Sequence, residues 1–297
     1  MDTTASDRAS ALTPSALDMS IVLPDQPLVR IRPGGSRRLL DLHDLWAYRE
    51  LLYFLTWRDV KVRYKQTTLG IAWVLVQPVL MTVIFTLFLG GLARVPSEGR
   101  IPYPLFAYVG LLPWTFFSTA VLSGATSLVN NSHLITKVYF PRLVVPAAAL
   151  AARLVDFAVG FVVLIGLMLY YRVSPTWSAV ALPVLVLLTL LLALGVGTFI
   201  SALNVKYRDV GIMVPVLVQL WMFVSPVLYP ASLVPERWRG LYALNPLVGI
   251  VDGFRAALFG RAFDWGALAA STAVTTVVVI CALYVFRRTE TSFADVI

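Results

Sequence analysis

The chain has 297 residues, 59% of them hydrophobic and only 13% charged, where a soluble domain carries about 25% charged residues. Stretches of 22 to 36 residues without Asp, Glu, Lys or Arg recur along it, and each is long enough to cross about 30 Å of hydrocarbon. This excludes the ordinary soluble enzyme and makes the chain an all-α, multi-pass membrane protein. The net charge of +8, from 24 basic and 16 acidic residues, does not mark a nucleic-acid partner, because the basic residues flank the apolar spans and so report membrane orientation. Cys281 is the single cysteine and forms no intrachain disulfide. The first forty residues lack the apolar core of a cleavable signal peptide.

Residues 1–44 are rich in Ser, Thr, Asp, Pro and Gly without a sustained period and read as a disordered cytoplasmic tail. Residues 45–69 change texture. Leu45, Tyr48, Leu52, Leu55 and Val62 fall near one helical face, Arg49, Arg58, Lys61, Arg63 and Lys65 elsewhere, and Trp46, Tyr53, Trp57 and Tyr64 add aromatic rings. The pattern predicts an amphipathic helix on the membrane surface, and a soluble helix packed on a partner domain would carry the same pattern. Six spans follow within residues 70–286, near Gly70–Ala93, Pro104–Val129, Val144–Tyr171, Ser178–Leu203, Gly211–Tyr229 and Trp265–Phe286. Residues 287–297 form a second tail. The basic residues before the first span, Lys137 and Arg142 after the second, Lys206 and Arg208 after the fourth, and Arg287 and Arg288 after the sixth put both termini in the cytoplasm.

Residues 230–260 hold two short apolar stretches, Leu233–Leu244 and Pro246–Phe259, broken at Asn245-Pro246. At about 1.5 Å per residue neither spans a bilayer, so they read as re-entrant helices on the outer face. Arg153 and Asp156 are the ionisable residues inside the spans. Their i, i+3 spacing lets them meet on one helix face, either as a self-neutralising pair or as a contact for gating or for an anionic substrate. His43 and His133 make no metal-ligand spacing, so no metal site is expected, and no G-x-x-x-x-G-K-[ST] loop is present to hold a nucleotide phosphate. No catalytic residues are assigned.

Trp73, Phe85 and Phe88 in the first span, Trp114 and Phe117 in the second, and Trp221 and Phe223 in the fifth are candidate channel residues, since aromatic faces pack against sugar rings; single aromatics in spans also face lipid or core. Residues 133–142 join the second and third spans. Asn130, Asn131 or Ser132 can cap a helix of about two turns that Pro141 stops. His133, Leu134, Ile135, Lys137, Val138, Tyr139, Phe140 and Arg142 suit either a groove on a cytoplasmic partner or an interfacial loop dipping into lipid.

RDVKVRYKQTTLGIAWVLVQP at 58–78, LPWTFFSTAVLSGATSLVNNSHLITKVYFPRLVVP at 112–146, LNVKYRDVGIMVPVLVQLWMFVSPVLYP at 203–230 and ALNPLVGIVDGFRAALFG at 243–260 together resemble the membrane subunits of ABC-2 type exporters for O-antigen, capsular polysaccharide and teichoic acid. The resemblance covers roughly residues 45–290. It implies a homodimeric permease of the inner membrane bound to two nucleotide-binding ATPase subunits, which hold the ATP and magnesium; this chain itself carries no cofactor. It implies that residues 133–142 include the coupling helix, that residues 235–259 form the gate helices, and that the first and fifth spans line the channel. The implied cargo is a polysaccharide on a polyprenyl diphosphate lipid, with Arg58, Lys61, Arg63 and Lys65 available to its headgroup. Competing readings are an exporter of a small drug or lipid on the same scaffold, and a membrane-embedded transferase using Asp156, Asp252 or Asp264.

Overall fold

The computed structural model of the protein describes residues 46–65, 72–97, 101–290 and Phe293. The expected tail 1–44, Leu45, residues 66–71, Arg100 and most of the C-terminal tail lie outside the described residues, as does the side chain of Trp73. The described residues form helices: α1 Arg49–Lys65, α2 Ala72–Phe85 running on as a π-helical segment Thr86–Leu92, α3 Tyr103–Asn130, α4 Ser132–Lys137, α5 Val144–Tyr170, α6 Leu182–Lys206, α7 Asp209–Val224, α8 Glu236–Ala243, α9 Pro246–Phe259 and α10 Trp265–Glu290.

Among the described residues, five helices are long and apolar enough to cross a membrane: α2 with its π-helical extension, α3, α5, α6 with the turn before it, and α10. The expected fifth span is shorter than its apolar run, because α7 stops at Val224 after 16 residues, about 24 Å. The cause is local. Pro226 follows Ser225, and the residue before a proline is pushed out of the helical region; Ser225 is extended, at φ −107 and ψ 150. The remainder of the expected span, up to Tyr229, is a tight turn.

The core is built around α3. Its helix is apolar on every side, 78% of its most hydrophobic stretch is buried against only 6% for α2, and it packs most extensively on α5 and α6. Where α3 crosses α6, a Cβ on Gly124 would stand 3.3 Å from Gly197 Cα, a close approach of the kind small residues permit in membrane helices. Phe116 of α3 meets Phe157 of α5 at 5.2 Å between ring centroids, and Phe157 meets Phe254 of α9 at 6.4 Å. The helix α9 is buried along most of its length, whereas α8 is exposed. The break expected at Asn245-Pro246 is present, with Pro246 at the first helical position and the Asn245 side chain accepting from the Leu247 amide at 3.1 Å, as an N-cap does.

The helix α1 does not present a single apolar stripe. Leu55 is buried and Leu52 and Tyr48 are partly so, but Val62, Tyr53, Phe54 and Trp57 are exposed. The helix also runs alongside α5. Leu55 belongs to the cluster that includes Leu143 and Val144, while Arg63 and Tyr64 reach Asp156, about three turns further along α5.

Candidate functional site: a groove, an anchored tip and an ion-paired helix

Three regions carry the polar and aromatic residues that the sequence singles out. The first is a groove of about 370 Å³ at mid-length of α2, α3 and α7. Phe85 and Trp114 line it together with Gln77, Thr115, Ser118 and Gln219. The other channel candidates are placed elsewhere. Phe117 is fully buried, its ring edge-on to Trp221 at 5.2 Å. The Trp221 indole N–H donates to Asn245 Oδ1 at 3.1 Å, so this ring locks α7 to the start of α9. Phe88 and Phe223 stand on exposed surface, 61% and 58% accessible in the single chain.

The second region is the short connection after α3. The helix α4 has six residues, close to the two turns expected at about 3.6 residues each, and it ends before Pro141. Val138 is already extended, and Phe140, which precedes the proline, is kept from the helical region. Nor does a side chain cap it. Asn131 donates to the Ser127 carbonyl at 2.8 Å and accepts from Arg58 Nη2 at 2.7 Å. The coupling candidates therefore divide. Ile135 and Phe140 are buried in a cluster with Leu55, Leu128, Phe286 and Phe293, and Arg142 donates to the Glu290 carbonyl while its guanidinium faces the Phe293 ring at 5.8 Å. Leu134 is partly buried against the same cluster. His133, Lys137, Val138 and Tyr139 are exposed, Tyr139 at 82%. Buried anchors thus hold up a bare tip.

The third region is the ion-paired face of α1. Asp156 is the acceptor for both Arg63, at 2.5 Å, and Arg153, at 3.2 Å, and it takes a further hydrogen bond from the Tyr64 hydroxyl. Arg153 Nε reaches Ser123 Oγ on α3 at 2.7 Å. Burial, with the hydrogen bond to Asp156 adding to it, pushes the Tyr64 phenol up to about 12, so it stays a donor at neutral pH. Arg63 is thereby set apart from the headgroup candidates. Arg58 pairs with Asp59 at 2.8 Å. Lys61 and Lys65 are exposed and, with Arg58 and Val62, line a shallow cleft of about 220 Å³.

Two hubs escaped the sequence reading because their roles depend on distant partners. Asn204 near the end of α6 donates to the Ala125 carbonyl at 2.9 Å and accepts from the Gly211 amide at 3.0 Å, closing the reversal between α6 and α7 onto α3. Arg255 of α9 is fully buried. Its Nη2 donates to the Val227 carbonyl at 2.8 Å, and its guanidinium lies over Phe106 at 3.8 Å. The carboxylates that a transferase would need are dispersed. Asp252 lies 3.7 Å from Arg261, Asp264 accepts from the Ala267 amide at 3.0 Å, and Asp156 is ion-paired as above. Among the described residues no group of three His, Cys, Asp or Glu side chains is placed to hold a metal.

The described residues thus form a helical membrane domain with a groove at mid-length and a bare tip on buried anchors. The chain belongs to the ABC-2 type transporter family, whose match spans residues 50–259. It is 36% identical over 258 residues to the O-antigen export system permease protein RfbA of Myxococcus xanthus, covering 86% of this chain and 98% of that one. A Klebsiella pneumoniae protein of the same name is 26% identical, over 84% of this chain and 95% of its own. The polysialic acid transport protein KpsM of Escherichia coli is 25% identical, over 68% and 78%.

Proposed function

We propose that this chain is the permease subunit of an ATP-driven ABC exporter that carries lipid-linked polysaccharide, of O-antigen or capsule type, from the cytoplasmic to the outer face of the inner membrane. The observation that carries this reading is the 36% identity to an O-antigen export permease over nearly the whole of that protein. The groove along α2 and α7 supplies a passage at mid-membrane depth, and the exposed tip at Lys137–Tyr139 supplies a surface for a separate ATPase subunit. Two copies of the chain would close the groove between them. The end of the bundle bearing Lys137, Lys206 and Arg287 faces the cytoplasm under the positive-inside rule. ATP binding in the partner would push on the tip, and the push would reach the spans through Ile135 and Phe140 as rigid-body motion. Lys61 and Lys65 are the cations available to a lipid diphosphate at the cytoplasmic side.

Deletion of the chain tests the reading. Lipid-linked polysaccharide should accumulate inside the cell and disappear from its surface, and the tagged chain should copurify with a nucleotide-binding subunit. Unchanged surface polysaccharide, or transport by the purified chain alone in liposomes, would overturn it.

A further inference from the structure

We propose that the groove between α2, α3 and α7 is the polar wall of a hydrated path that selects uncharged, polyhydroxylated sugar repeats, with Gln77 and Gln219 as its specificity-determining residues. The proposal rests on the export reading above and adds the class of polymer. Gln77 is the one amide side chain of α2, and Gln219 is the one amide side chain of α7. Both are exposed in the single chain, both line the groove, and neither makes a hydrogen bond among the described residues. A primary amide brings two donors and an acceptor, and leaving them unpaired in hydrocarbon is costly. Polar side chains within membrane helices accordingly face a bundle interior or a water-filled cavity.

The third wall completes the chemistry. The Thr115 hydroxyl, on α3, lines the groove without a hydrogen bond of its own among the described residues. Ser118 donates to the Thr115 carbonyl at 3.1 Å, which leaves its oxygen free to accept. Phe85, partly exposed, adds an apolar face, and the buried Trp114 backs the wall behind it. Amides and hydroxyls both donate and accept, which matches a sugar's hydroxyl rim, while the Phe85 ring matches its apolar face. Among the described residues no ionisable side chain lines this groove, and the intramembrane charges Arg153 and Asp156 are committed to each other and to α1. A polymer with a carboxylate or phosphate in every repeat would meet no countercharge here, at the depth where an unpaired charge is most costly.

The test uses the full chain in cells with its native partner, in a Cys281→Ser background. Gln77→Cys and Gln219→Cys should react with a membrane-impermeant cationic methanethiosulfonate at least about ten-fold faster than Ile165→Cys, which faces outward on α5. Equal rates would overturn the hydrated path. Surface polysaccharide should fall at least about ten-fold in Gln77→Glu, Gln219→Glu cells and persist in the corresponding Asn variant, and wild-type export by the Glu variant would overturn the selectivity. Should the Glu variant not accumulate in the membrane, the polymer retained in deletion cells decides: neutral repeats support the proposal, and a uronic acid, sialic acid or phosphate in each repeat sinks it. Surface polysaccharide that survives deletion refutes the export reading instead, and the thiol rates still judge the groove.

Discussion

Asp156 is shared by two arginines. Removing a buried partner leaves uncompensated charge, which costs more than the pair contributes. Asp156→Asn should therefore lower the unfolding free energy by about 3 kcal/mol, read as a drop in Tm of the detergent-solubilised complex, and Arg63→Met added to Asp156→Leu should recover part of it. Arg255 calls for a different expectation. Its own desolvation is relieved in Arg255→Met while the Val227 carbonyl loses its partner, so the two effects oppose and stability changes by less than about 2 kcal/mol. The change should be local: amide hydrogen exchange across residues 227–229 accelerates, and unaltered exchange there would show that the guanidinium does not hold this turn.

At the scale of elements, the connection from α4 into α5 joins buried anchors to an exposed tip, and substitution separates the two. Phe140→Ala empties a buried position and should cost about 3 kcal/mol, seen as lower abundance and Tm. Tyr139→Ala removes a ring that is 82% exposed, so Tm should hold while surface polysaccharide and copurification with the ATPase decline. A Tyr139→Ala complex with normal export would remove the tip from the coupling path. The packing of α9 on α10 is equally tight. A Cβ on Gly249 would lie 2.4 Å from the Ala267 carbonyl oxygen, so Gly249→Ala must push α9 away from α10 and should destabilise by about 1–3 kcal/mol.

For the molecule as a whole, the uneven covering of its spans is the main clue to assembly. The most hydrophobic stretch of α2 is 6% buried, and Phe88 just beyond Phe85 and Phe223 on α7 are exposed in the single chain. A two-fold pair closing over this face would bring those positions to the seam. Phe88→Cys with Phe223→Cys, in a Cys281→Ser background, should form a chain-to-chain disulfide under mild oxidation, and an absence of cross-linked dimer at every pairing along the groove would place the interface elsewhere. The same geometry fastens α1 to α5 through Asp156 and to the α3–α4 corner through Arg58 and Asn131.

Five of the spans, their order and the helix break at Asn245-Pro246 were legible in the sequence, because a bilayer demands long apolar runs and a proline halts a helix whatever surrounds it. The premature end of α7 was legible in principle from Ser225-Pro226, but the apolar run continued past it and masked the stop. Which aromatic borders a groove and which is sealed away was not legible: Trp114 and Phe117 are neighbours on one helix and both are buried, yet only Trp114 borders the groove. Likewise Arg63 looks like any other cation of α1 until α5 brings Asp156 beside it, and Gln77 looks like an incidental amide until α3 and α7 surround it. Hydropathy is a property of each segment alone, whereas the pairing of a charge or an amide is a property of what the fold places across from it.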